Sequence, residues 1–195
     1  MTEKSPWIKV KSKIVYKNDW ITVREDDVIR PDGKPGIYGV VETRIATGVV
    51  AITPNNEVYL VGQYRYPIDR YSWEIIEGGT ELGEDPLDCA KRELREEGGL
   101  IAAKWEELGP PVYLSNCHSN ELALFFLARE LTEVETQPEG TEVLQLKLIP
   151  LAEVFSMVDS GEITDAMSVI ALTRIRHMIA TNLVSCGRSD LSPRR

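Results

Sequence analysis

The chain has 195 residues, of which 43% are apolar, enough for one ordinary core and too many for a disordered chain. Its formal net charge of −9, from 31 acidic against 22 basic residues, excludes a nucleic-acid binder built on a basic face. No apolar run approaches a membrane span and no secretory core follows Met1, so the expected setting is the cytoplasm, with no membrane partner.

Residues 8–42 read as short strands at 14–16, 20–23 and 36–41, separated by the turn chemistry of Asn18-Asp19 and of residues 30–36. This stretch is too short to bury a core alone, so residues 1–45 are expected to pair with the main domain or with a second chain. The main domain is expected over 46–184, and residues 185–195 as a small, polar tail. Within the main domain, 49–52 and 58–61 flank the turn Pro54-Asn55-Asn56, and 73–76 leads into a Gly-Gly step. Further strands are expected at 122–128 and 143–149, a short helix at 151–160 stopped by Gly161, and a longer one capped by Asp165 and running to about 183. Cys89, Cys117 and Cys186 are odd in number and unpatterned, which indicates neither a disulfide framework nor a zinc site.

The densest chemistry lies at residues 78–100. Asp85 can cap a helix, Pro86 suits its first position, Asp88 adds an acid to the first turn, and Gly98-Gly99 supplies the stop. On that helix Leu87, Ala90 and Leu94 form the stripe expected to be buried. Glu93, Glu96 and Glu97 share the neighbouring stripe, because positions three and four apart are adjacent. Three carboxylates this close repel one another unless a cation compensates, and hard divalent cations take oxygen ligands. Taken alone, the segment also reads as a solvated charged face with Arg92 paired to Glu96.

The whole run resembles the Nudix box: Gly78, five residues, Glu84, seven residues, Arg92-Glu93-Leu94, one residue, Glu96-Glu97, one residue, Gly99-Leu100. At roughly one chance in 15 per fixed residue, its seven matches arise by accident about once in 10⁸ windows. The resemblance implies an α/β fold, the Nudix α/β/α sandwich with a mixed sheet, here with an N-terminal antiparallel β extension. It implies a pyrophosphohydrolase using Mg²⁺, or Mn²⁺ as a substitute, held by Glu93, Glu96, Glu97 and the backbone carbonyl of Glu77. Glu93 and Arg92 are its expected catalytic residues within the box, and Glu84 their support.

Residues 63–67, Trp73-Glu74, Glu77-Gly78-Gly79 and residues 161–169 look like the ADP-ribose pyrophosphatase branch of that family. Members of that branch hydrolyse nucleoside diphosphate sugars as homodimers with interleaved N-terminal strands. The resemblance therefore implies Arg65 on substrate phosphate, Trp20 stacked on the base from the partner chain, and an acidic loop whose Glu142, with Glu139 as runner-up, serves as general base or as an extra metal-site carboxylate, a box glutamate being the alternative base. ADP-ribose-specific members carry a Pro-containing loop after the box, which residues 113–121 do not reproduce, leaving GDP-mannose or another nucleotide sugar open. The same box would also serve a dinucleoside polyphosphate or house-cleaning nucleotide hydrolase. A non-catalytic nucleotide-sugar sensor usually loses box carboxylates, which this chain keeps. His118 is expected to be a loop hydrogen-bonder, His177 structural, and Cys117 an inert thiol.

Overall fold

The structure, a computed structural model, describes residues 4–135 and 144–181; Glu139 and Glu142 lie outside the described residues. The chain divides into two compact units: the first runs to Ile45 and includes Tyr113–Leu122, while the second holds Ala46–Val112 and the chain from Ala123 onward.

In the first unit β1 (Ile8–Lys17), β2 (Thr22–Ile29) and β3 (Pro35–Glu42) form an antiparallel sheet in that order. β1 is exposed along its whole length, apolar residues included. Trp20, expected in a strand, sits in the β1–β2 turn. The Asn18 side-chain oxygen accepts from the backbone N–H of Trp20 at 2.9 Å and of Ile21 at 2.7 Å. That competition from a short polar side chain delays the strand to Thr22. Residues Tyr113–Leu122 join this unit through backbone bonds to β3: Val41 N–H donates to the His118 carbonyl at 2.8 Å, and Asn120 N–H to the Val41 carbonyl at 3.2 Å.

From Ala46 the chain follows the order β4 (Ala46–Ala51), β5 (Glu57–Arg65), β6 (Arg70–Glu74), β7 (Ile76–Gly79), α1 (Pro86–Glu96), β8 (Leu100–Glu107), β9 (Val112–Tyr113), β10 (Leu122–Glu133), β11 (Gln145–Pro150), α2 (Leu151–Ser160) and α3 (Ala166–Ala180). One sheet has the order β7-β4-β10-β8, with β4 parallel to β10 and the other pairs antiparallel; a second has the order β11-β5-β6. The expected mixed sheet is therefore present. β8, which carried no strand expectation, is an edge strand with only Leu100 fully buried, and Lys104, Glu106 and Glu107 face outward. An edge with one wet face and little apolar alternation gives a weak period-two signal.

Helices lie on both faces of the mixed sheet. Val49, Ala51 and Ile76 share one buried cluster with Ala90 and Leu94 of α1. Gly48, the next residue along β4, faces the other way: a Cβ there would lie 2.8 Å from Ile75 Cδ1 and 3.3 Å from Met167 Cε of α3. Alternation across a strand thus assigns α1 and α3 to opposite faces. Of the expected α1 stripe, Ala90 and Leu94 are fully buried while Leu87 is partly covered, and Cys89 takes the third buried place.

Candidate active site

The carboxylate helix starts where local chemistry places it. The Asp85 side chain accepts from Leu87 N–H at 2.9 Å, Pro86 follows at the first position, and Gly99 leaves the helix with φ 58°. Arg92 then ties the helix to the preceding loop and strand. Its Nε donates to Glu84 Oε1 at 3.0 Å and its Nη2 to Glu84 Oε2 at 3.1 Å, a two-pronged contact, while Nη2 also reaches the Gly79 carbonyl at 3.1 Å. Its Nη1 bridges Glu93 Oε1 at 2.7 Å and Glu96 Oε2 at 3.0 Å. The hydrogen bonds from Arg92 hold the Glu84 carboxyl below the usual range, and the same bonds raise the guanidinium above its own.

Glycine at 78 makes room for this arrangement. A Cβ there would fall 2.1 Å from Glu93 Cδ and Oε1, so the Glu93 carboxylate occupies the space a side chain would fill. Glu97, 7% exposed, accepts from Glu77 N–H through Oε2 at 3.2 Å. The helix therefore lays Glu93 and Glu97 against the backbone of β7 and holds Glu96 through Arg92. This face offers carboxylate oxygens, a donor type that suits a hard divalent cation better than a thiophilic one, although the oxygens of Glu93, Glu96 and Glu97 do not meet as a trio within 4.8 Å of one another. Glu93, Glu96, Glu97 and the Glu77 carbonyl are the groups that the resemblance assigns to it. Burial pushes the thiol of Cys89, next to Arg92, up to about 11.

The side chain of Glu77 belongs to the opposite face. Glu77 pairs in register with Gly48, whose open side faces α3, so its carboxyl points there as well. It meets Arg65, whose Nη2 donates to Glu77 Oε1 at 2.9 Å and whose Nε donates to both oxygens of Glu74 at 2.9 and 3.0 Å. Asp165 completes the group: it caps α3 through Oδ2, which accepts from Ser168 N–H at 2.7 Å. Burial pushes the Glu77 carboxyl well above its usual range, reinforced by the charges of Asp165 and Glu74. Burial pushes Glu74 the same way, but the bonds and charge of Arg65 outweigh it and hold that carboxyl low. A cavity of about 310 Å³ opens beside them, lined by Arg65, Glu74, Ser72 and Asp165 with Pro67 and Ile68.

Sequence reasoning placed Glu74 in the branch motif and Asp165 at a helix cap, where it is found, but gave neither a role at the site. Glu74 and Glu77 are three positions apart, which in a continuous strand puts them on opposite faces. The break between β6 and β7 at Ile75 brings both to Arg65. In the other unit, Trp20 is 72% exposed in its turn, and His118 is the loop hydrogen-bonder expected, its Nε2 lying 3.1 Å from Ser115 Oγ.

A loop glutamate clamped by arginine and a helix that lays two glutamates against a glycine-lined strand are the arrangement the box implied. The family described as NUDIX domain matches residues 42–167, and the one described as nucleoside diphosphate sugar hydrolase N-terminal domain matches residues 6–41. The chain belongs to the Nudix family and is one of its hydrolases. It is similar to an ADP-ribose pyrophosphatase of Bacillus subtilis, 31% identical over 160 residues that cover 81% of this chain and 86% of the relative. It is also similar to a methanol dehydrogenase activator of Bacillus methanolicus, 30% identical over 165 residues, covering 84% and 89%. A solved structure described as an ADP compounds hydrolase shares the fold with a TM-score of 0.82 at 21% identity, covering 93% of this chain and 98% of the other. Members of this family generally use divalent metal.

Proposed function

We propose that this protein hydrolyses the diphosphate linkage of a nucleoside diphosphate sugar, ADP-ribose or a similar compound, in a Mg²⁺-dependent reaction in the cytoplasm. Water adds to one phosphorus, the bridging P–O bond breaks, and a nucleoside monophosphate and a sugar phosphate leave. The observation that carries this reading is the seating of Glu93 and Glu97 on the β7 backbone, with Glu96 held beside them by Arg92. The N-terminal match to a nucleoside diphosphate sugar hydrolase domain and the ADP-ribose pyrophosphatase relative support the substrate class.

Bound Mg²⁺ would neutralise diphosphate charge and polarise the reacting phosphorus–oxygen bond. Arg92 bridges Glu93 and Glu96, offsets their repulsion and orients them, acting through charge and hydrogen bonds. Arg65 is 38% exposed at the cavity, which fits a guanidinium with donors to offer a substrate phosphate. Glu142 takes the attacking proton on sequence grounds alone.

Assembly as a homodimer is part of the reading. The apolar residues Ile8, Val10, Ile14, Val15 and Tyr16 of β1 are all more than half exposed, a surface that a second copy would cover. Trp20 then offers its ring to the base, a contact tolerant of base identity. A panel of ADP-ribose, ADP-glucose, GDP-mannose and a dinucleoside polyphosphate, with Mg²⁺ or with chelator, tests the whole reading by product identification. Monophosphate plus sugar phosphate, formed only with metal, is the expected result. Turnover of the dinucleoside polyphosphate alone would move the activity to another class, and no turnover at all would remove it.

A further inference from the structure

We propose a second divalent-cation site on the α3 face of the mixed sheet, formed by Glu74, Glu77 and Asp165 and separate from the α1 glutamates. One carboxylate oxygen from each of the three lies within 4.8 Å of the others, the only such trio among the described residues. Proximity of acids alone does not make a site; the buried state of Glu77 supplies the second observation. Its side chain is 9% exposed, and its Oε2 is buried with no hydrogen-bond partner among the described residues. Leaving such an atom unsatisfied is costly, and nearly all buried polar atoms find a partner.

The charge balance points to a cation. Arg65 supplies one positive charge against three carboxylates, and its two nearest contacts go to Glu74 and to Glu77 Oε1. With all three carboxyls ionised the residual charge is about −2, which a divalent ion would offset, and three carboxylate oxygens with the Ser72-lined cavity for water match the oxygen-rich shells of Mg²⁺, Mn²⁺ or Ca²⁺. A lysine or a second arginine could have done the same work, yet Arg65 is the only basic residue lining that cavity among the described residues. The site is on the opposite face from the α1 glutamates, because Glu77 faces Met167 with Gly48 whereas Gly78 faces Glu93.

Mn²⁺ alone is the probe, and its binding, followed by the EPR signal of the free ion, does not depend on turnover or on the proposed substrate. Wild type should bind one more ion than Asp165→Asn, in which asparagine keeps the helix cap and only the charge is lost. A Glu93→Gln/Glu96→Gln/Glu97→Gln chain, checked for folding by circular dichroism, should retain one ion, and adding Asp165→Asn or Glu77→Gln should weaken it at least tenfold. If the triple variant does not fold, the wild-type and Asp165→Asn stoichiometries decide. Equal stoichiometry in those two, no ion in a folded triple variant, or an unchanged titration after either added substitution overturns the proposal. A proton shared between Glu74 and Glu77 would then be what satisfies the buried oxygen.

Discussion

Gly78→Ala separates the seating of Glu93 from the stability of the fold. Gly78 is not among the positive-φ glycines, so alanine fits the backbone, and the conflict is purely spatial. The new Cβ would stand 2.1 Å from Glu93 Cδ and Oε1, where ordinary contact begins near 3.4 Å, so the carboxylate must retreat by more than about 1 Å. The displaced atoms are the end of a flexible side chain, so the folding cost should be under about 1 kcal/mol, within the range of substitutions outside a packed core. The catalytic cost should be far larger, because a misplacement of about 1 Å in a reacting constellation costs on the order of 10²-fold. Gly48→Ala is the contrast: its Cβ would meet Ile75 at 2.8 Å and Phe125 at 3.0 Å inside the core, costing about 1–3 kcal/mol. Turnover with saturating Mg²⁺ and thermal midpoints of both variants provide the assay. Full activity in Gly78→Ala, or a loss of activity matched by a loss of midpoint as large as that of Gly48→Ala, would refute the reasoning.

The Glu84 carboxyl, held low by Arg92, should contribute stability that is full above its ordinary pKa of 4.5 and is lost as pH falls through its lowered folded value. Glu84→Gln should therefore flatten the acid limb of a midpoint-against-pH curve, and an unaltered acid limb would contradict that. Trp20→Ala should raise KM several-fold with kcat little changed, while light scattering at micromolar concentration should report a dimer; a monomer with unchanged KM would remove both roles. Glu142→Gln should lower kcat at least tenfold with little change in KM, as expected for a base that contributes about 10²–10⁴-fold. If Glu142→Gln is normal and Glu139→Gln is crippled, the role moves three residues back.

The helical half of the candidate site was legible because its determinants are local. Cap, first-turn proline, helical spacing and stop all fall within residues 85–99, and the helix forms where they place it. The purpose of Gly78 was legible as a box position but not as a steric requirement, since Glu93 lies fifteen positions on and reaches it only when α1 packs on β7. The acidic group around Arg65 was illegible for a different reason. It joins β5, β6, β7 and the α3 cap, and strand periodicity alone separates Glu74 from Glu77. Arg65 was expected on substrate and is found with two carboxylates, a pairing no spacing rule connects. The N-terminal strands were recognised as lacking a core, yet the Asn18 turn shifted Trp20 out of its expected strand.

Hydrolysis by wild type and by Glu97→Gln, side by side with ADP-ribose, Mg²⁺ and a chelator control, tests the central claim most directly. Glu97 both contacts the Glu77 N–H and belongs to the proposed metal set, and glutamine preserves its shape while removing its charge. Wild type should release AMP and ribose phosphate only with metal, and the variant should lose at least about 10²-fold of that rate at an unchanged thermal midpoint. Equal rates in the two proteins, or full activity in excess chelator, would contradict that claim.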